Sequence, residues 1–130
     1  GGGLIDADSD VVEAWDINRG GSANLVIGVI DDGVQGTHQD IRPWVNTGEV
    51  AGDGIDNDGN GYVDDINGWN FVFNTNQSQP QNPGDAHGTS VAGVAAARGN
   101  NGEGVAGASY NSSAISIRMF DGSSVANDAN

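Results

Sequence analysis

Residues 25–30 (LVIGVI) form an unbroken apolar, largely β-branched run that stops abruptly at Asp31-Asp32-Gly33. Such a run, lacking any polar alternation, predicts a strand buried on both faces, the kind found in parallel sheets covered by helices. A second run at 114–120 (AISIRMF) reads as another buried strand. Between them, 88–98 (GTSVAGVAAAR) is small and apolar and reads as a helix despite Gly93, able to pack close against a sheet. Strand, crossover with a helix, strand is βαβ logic, so the expected fold class is α/β, a parallel sheet flanked by helices.

The remaining segments fit around that frame. Residues 9–17 (SDVVEAWDI) carry Val11, Val12, Ala14, Trp15 and Ile17, and with Ser9 or Asp10 as N-cap they predict a short amphipathic helix stopped by Gly20-Gly21. A polar, glycine-rich stretch runs from about Arg42 to Ala86, with an acidic cluster at 53–65 and an apolar patch at 69–73 that reads as a further short strand. Loops this long inside compact domains are usually functional or else hide unassigned structure. Trp15, Trp44 and Trp69 are expected to be packing residues. At 130 residues the chain suits one domain, without internal repeats.

Composition narrows the function. The net charge is −14, from 18 acidic residues against four arginines and no lysine. Nothing here could displace counterions from phosphates, so nucleic acid is excluded as a partner, and an anionic membrane surface falls on the same ground. The acidic balance points to calcium or to a basic peptide. Without cysteine, disulfides, thiolate metal sites and thiol nucleophiles are excluded. Glycine, at 22 of 130 residues, far exceeds the usual ~7% and suggests loops and close backbone contacts. No run approaches the ~18 apolar residues of a membrane span. A start at Gly1-Gly2-Gly3 without methionine or signal peptide leads us to expect processing or truncation.

Two short motifs carry chemistry. Asp31 sits at the C-terminal end of the first strand, where open α/β sheets place their sites. Taken alone, Asp-Asp-Gly is equally a strand-ending turn. His87-Gly88-Thr89 opens the small-residue helix, where a histidine can also be a plain surface residue. Together, a carboxylate at a strand end and an imidazole at an adjacent helix start suit an orienting acid and a general base.

Residues 26–41 (VIGVIDDGVQGTHQDI) and 87–122 (HGTSVAGVAAARGNNGEGVAGASYNSSAISIRMFDG) resemble the subtilisin-like serine proteases, and most of all their kexin and furin branch. The resemblance implies a three-layer subtilisin-like fold, present in part, with Asp31 as the triad aspartate and His87 as the triad histidine. It implies that the nucleophilic serine, in a GTSxAxP-type motif, and the oxyanion-hole asparagine come from a C-terminal portion beyond residue 130, so this chain alone is expected to be inactive. Ser90, in Gly88-Thr89-Ser90-Val91-Ala92, imitates that motif but is tied to the histidine's own helix and is not expected to be the nucleophile. The kexin branch further implies that Asp32, and Asp85 two residues before the histidine, face a basic substrate side chain; otherwise Asp32 is a turn carboxylate. The 56-position spacing from Asp31 to His87 is longer than in compact members, the excess holding an inserted acidic loop at about 52–68.

Residues 56–65 (DNDGNGYVDD) place oxygen donors at alternate positions, as in the first half of an EF-hand loop. Asp56, Asp58 and Asn60 would supply side-chain oxygens, Tyr62 a backbone carbonyl, and Asp64 or Asp65 a closing carboxylate. Asn67 stands where an EF-hand has its bidentate glutamate. The alternative is a solvated acidic loop. The family resemblance implies a second calcium site, from Asp40 and Asn101 with carbonyls of Arg98, Glu103 and Val105, where a simple glycine turn is the alternative. The expectation is therefore the N-terminal part, residues 1–130, of the catalytic domain of a secreted, calcium-dependent serine endopeptidase acting on proteins or peptides, with a preference for basic residues implied by Asp32 and Asp85. A non-catalytic calcium-binding module derived from such a protease is the alternative.

Overall fold

A computed structural model describes residues 9–18 and 20–121 and the backbone of 124–125. Its elements are α1 (Val11–Ile17), β1 (Val26–Asp31), β2 (Gly68–Asn70), α2 (His87–Ala96), β3 (Ser113–Arg118), β4 (Phe120–Asp121) and β5 (Ser124–Val125). Strands β1, β3 and β2 form a parallel sheet in that order, and β4 and β5 pair antiparallel. The α/β expectation holds, as a partial domain.

The register puts the chemistry at one rim. Val26 pairs with Ser113 at one end of β1 and Asp31 with Arg118 at the other, while Asn70 meets Arg118 from the opposite side. Helix α2 packs on the sheet through Gly88, Ala92 and Ala96, one residue per turn. These small side chains let the helix approach closely, and Ala92 joins Val29, Val34, Ile41 and Ala114 in the core. Gly68 takes φ 120°, and a Cβ there would overlap the Ser116 carbonyl on β3, so only glycine admits β2 to the sheet at that point.

Two expectations are corrected. Strand β1 is not buried on both faces: Val29 is buried, but Val26 and Ile30 are 38% and 58% exposed. Among the described residues β1 lies at the edge of the sheet and β3, the central strand, takes most of the burial. An apolar run signals affinity for a core without saying which strand will be central. Helix α1 likewise has no buried residue, and Ile17 is 92% exposed. Its N-cap is Asp10, in a left-handed conformation, and the side chain does not cap the helix. Val11 and Trp15, four apart, make its half-buried face. Trp15 donates from Nε1 to the Ala108 carbonyl at 2.9 Å and meets the Tyr110 ring edge-on at 5.2 Å. Trp44 is half-buried, and Trp69 is buried against Tyr62. Among the described residues no helix is long and apolar enough to cross a membrane.

The acidic stretch is folded rather than open. Asn46 donates its amide to the Ile66 carbonyl, closing the loop at its base. Asp64, itself at φ 56°, accepts the backbone amides of Gly52 and Gly54 at 2.7 and 3.1 Å.

Candidate active site

Asp31 is the last residue of β1 and His87 the first of α2, and their side chains meet above the sheet's rim. The imidazole Nδ1 lies 2.8 Å from Oδ2 and 3.0 Å from Oδ1 of Asp31. Asp31 is held in turn by the sheet: its carbonyl accepts the Met119 amide, and Oδ1 accepts the amide of Asp32. The Asp31 side chain is 15% exposed and that of His87 75%, so the acid is sheltered and the base faces solvent. Nε2 of His87 has no partner among the described residues.

The neighbouring motif residues have equally physical roles. Asp32 accepts the backbone amides of His87 and Gly88 at 3.1 and 2.7 Å, serving α2 as an N-terminal cap supplied from the strand. A Cβ on Gly88 would stand 2.5 Å from the Gly33 carbonyl oxygen and 2.9 Å from Cβ of Asp31. The glycine after the histidine is therefore what lets the helix start come within reach of the strand end. Ser90 donates its hydroxyl to the Ala86 carbonyl at 2.9 Å, one turn back along α2, and makes no hydrogen bond to His87.

Asp85 departs from the sequence expectation. It is buried, and its Oδ2 accepts Nη2 of Arg118 at 2.9 Å, the Gln81 and Asn82 backbone amides, and the Asn82 side chain. Burial pushes its carboxyl upward, but the Arg118 guanidinium and these amides outweigh burial and hold it below its ordinary value. Asp85 thus neutralises a cation of this chain. A substrate cation finds no open carboxylate there, because a buried arginine must find its counter-charge inside the protein.

In the acidic loop, carboxylate oxygens of Glu49, Asp58 and Asp65 lie within 4.8 Å of one another. Asn60 donates its side-chain amide to both Asp58 and Asp65, and Asn46 does the same from the other side. This all-oxygen, triply acidic group fits a hard divalent ion such as calcium. Asp56 and Asp64 lie outside it: Asp56 accepts the amides of Gly59, Asn60 and Gly61, while Asp64 holds Gly52 and Gly54. The Tyr62 ring packs on Trp69 and Phe71. Glu49 was absent from the sequence reading. It accepts the amides of Asn57, Asp58 and Asp64 and so templates the loop, yet it lies outside the alternating acidic pattern and carries no local signal.

Around the second expected calcium site it is amides, rather than the expected carbonyls, that meet Asp40 and Asn101. Asp40 is 3% exposed; its carboxylate accepts the Asn101 side chain at 2.7 Å and the Val105 amide at 2.8 Å, and its carbonyl accepts the Arg98 amide. The Val105 amide first, then Asn101, hold this carboxyl below its ordinary value against the opposing effect of burial. Glu103 donates its amide to Asn101. The loop is thus wrapped around Asp40.

Comparison with known proteins agrees with this geometry. A family model described as the Subtilase family, Peptidase_S8, matches residues 22–130. Thermitase of Thermoactinomyces vulgaris is 39% identical over 111 residues, covering 85% of this chain and 31% of the relative. Subtilisin-like protease 1 of Plasmodium vivax is 41% identical over 96 residues, 72% of this chain and 15% of the relative. PC3-like endoprotease variant B of Hydra vulgaris, on the kexin-like branch, is 34% identical over 125 residues, 92% of this chain and 14% of the relative. The chain thus spans less than a third of the length of these relatives. With the matched segment running across both the Asp31 and His87 motifs, the chain belongs to the subtilase family of serine proteases.

Proposed function

We propose that this chain is the N-terminal part, residues 1–130, of the catalytic domain of a secreted, calcium-dependent serine endopeptidase. The observation that carries the reading is the 2.8 Å contact between Asp31 and Nδ1 of His87, whose side chain is 75% exposed. Asp31 would keep the proton on Nδ1 and stabilise the imidazolium. Nε2 is then free to take a serine hydroxyl proton and return it to the leaving amine. The serine and the oxyanion-hole asparagine belong to a C-terminal portion, on the same or a separate chain, and the substrate is a protein or peptide.

Calcium would be held by Glu49, Asp58 and Asp65, and by Asp40 with the 98–105 loop; when bound it supplies charge neutralisation and loop rigidity. Secretion fits carboxylate loop sites, which extracellular calcium fills even when they are weak. A preference for basic side chains rests on Asp32, half-buried beside His87, and on the net charge of −14.

The test joins this chain to a C-terminal portion carrying the serine motif and assays peptides with a basic residue before the scissile bond, with calcium present. Cleavage is expected, and His87→Ala should lower turnover roughly a million-fold, the size of loss known for the triad histidine of subtilisin. A folded, calcium-loaded protein that stays inactive overturns the reading. The Glu49, Asp58 and Asp65 group favours one rival, a non-catalytic calcium-binding module. That rival requires calcium to alter binding to a partner while Asp31→Asn leaves any hydrolysis unchanged.

A further inference from the structure

Through its side chain Arg118 joins three segments near the rim, the end of β1, the stretch before α2, and β4. It pairs with Asp31 across β1 and β3, and its side chain is fully buried. Nε donates to the Asp32 carbonyl at 2.9 Å, at the end of β1. Nη2 donates to Asp85 at 2.9 Å, two residues before His87, and to Asp121 at 3.0 Å, at the end of β4. Asn82 closes the ring by donating one side-chain amide to both Asp85 and Asp121, at 3.1 and 2.7 Å. The Phe73 ring lies 5.7 Å from the guanidinium carbon, and Nη1 has no hydrogen-bond partner among the described residues.

We propose that Arg118 is the positioning residue of the Asp31–His87 pair. Resting on the peptidase reading above, the inference assigns to its guanidinium the task of fixing the 81–86 segment against the end of β1, so that α2 begins where His87 can reach Asp31. The 75% exposed imidazole has little packing of its own to hold it, so its placement depends on where its backbone is delivered. A planar fork with several donors can serve the Asp32 carbonyl and two carboxylates at once, whereas an ammonium offers the same charge from a single point. Arg118 touches neither reacting atoms nor substrate; it acts through Asp85 and Asp32.

The experiment reads the imidazole directly. Nitrogen-15 NMR of the full 130-residue chain, labelled at histidine, distinguishes which ring nitrogen carries the proton, a choice set by the hydrogen bond the other groups impose. The parent is expected to show His87 mainly as the Nδ1–H tautomer, and Asp31→Asn to abolish that preference. Arg118→Lys keeps the charge and removes the fork. It should shift His87 to a mixture in which Nε2–H is the larger share, while circular dichroism shows the helix and sheet retained. If Arg118→Lys does not fold, Asp85→Ala carries the test, since it removes the acceptor by which Arg118 holds the 81–86 segment; the same loss of tautomer preference is expected. An unchanged Nδ1–H preference in a folded variant, with Asp31→Asn still effective, overturns the role of Arg118 and leaves the peptidase reading intact. A parent in which Asp31→Asn has no effect overturns both.

Discussion

The rim that carries Asp31 and His87 and the loop that carries Glu49, Asp58 and Asp65 are both crowded with carboxylates, yet these find different kinds of partner. At the rim each acid has a dedicated partner: Nδ1 of His87 for Asp31, the first amides of α2 for Asp32, and the Arg118 guanidinium for Asp85. In the loop the carboxylates accept only backbone and side-chain amides, and Glu49, Asp58 and Asp65 face one another without a cationic side chain among their hydrogen-bond partners. Amides satisfy lone pairs but leave net charge in place, and three like charges within a few ångströms repel even where water screens them. The rim therefore carries one counter-charge of its own, the Arg118 guanidinium that meets the buried Asp85, and the loop is built to borrow one.

Breaking the rim's own neutralisation should have the largest effect. Asp85→Ala strips Arg118 of its most buried partner, in a pair whose side chains are 0% and 2% exposed. Loss of one member of such a pair typically costs about 3–5 kcal/mol, because the surviving charge has no solvent to turn to. Asp121, 27% exposed, remains in reach of Arg118, so the expected loss is about 3 kcal/mol, at the lower end, measured by urea denaturation. A loss under about 0.5 kcal/mol, the scale of an ordinary surface substitution, would mean that the pair is not buried as described.

The loop should respond to calcium instead. At a hundred times its dissociation constant, a ligand that binds only the folded state adds about 2.7 kcal/mol. Chelation should remove a stabilisation of that order and Glu49→Gln most of it, followed by calcium titration with thermal unfolding as the readout. The same Glu49→Gln should leave His87 in its Nδ1–H tautomer, and a change there would erase the separation between the two regions. Smaller again is Gly88→Ala. Forcing a methyl against the Gly33 carbonyl and the Asp31 side chain should cost about 1–3 kcal/mol, with the imidazole displaced from Asp31.

The two regions also differed in how far they could be read from sequence. The rim was legible because its motifs coincide with the ends of elements: Asp31 closes an apolar run and His87 opens a small-residue helix, so strand and helix periodicity located both. What the motifs could not disclose was direction. Asp85 lies close enough to His87 to suggest a substrate contact, and only the register of β3 reveals that Arg118 claims it. In the loop, alternation at 56–60 suggested ligands, but turn geometry aims Asp56 at backbone amides and brings in Glu49 from seven residues upstream. Burial on both faces of β1 failed for a related reason, since hydrophobicity sets how much a strand gains from cover and topology sets how much it receives.

Acid should expose the smallest difference, and its sign follows from the Arg118–Asp85 pair. Burial pushes the Asp85 carboxyl up, but Arg118, the Gln81 and Asn82 amides and the Asn82 side chain hold it below its ordinary 3.8 in the folded chain. In the unfolded chain the same group returns to that ordinary value and binds its proton first as pH falls. Its stabilising contribution is therefore complete above 3.8 and is lost as pH drops through the lower folded value. Many carboxylates titrate in this range, so the parent curve alone does not isolate the pair; the difference between parent and Asp85→Asn does. With calcium held saturating, the gap between their urea midpoints should be widest near neutral pH and should narrow well below 3.8. A gap of constant width would mean that Asp85 does not ionise against Arg118 in the folded state, and the rim would then lack the internal counter-charge that sets it apart from the loop.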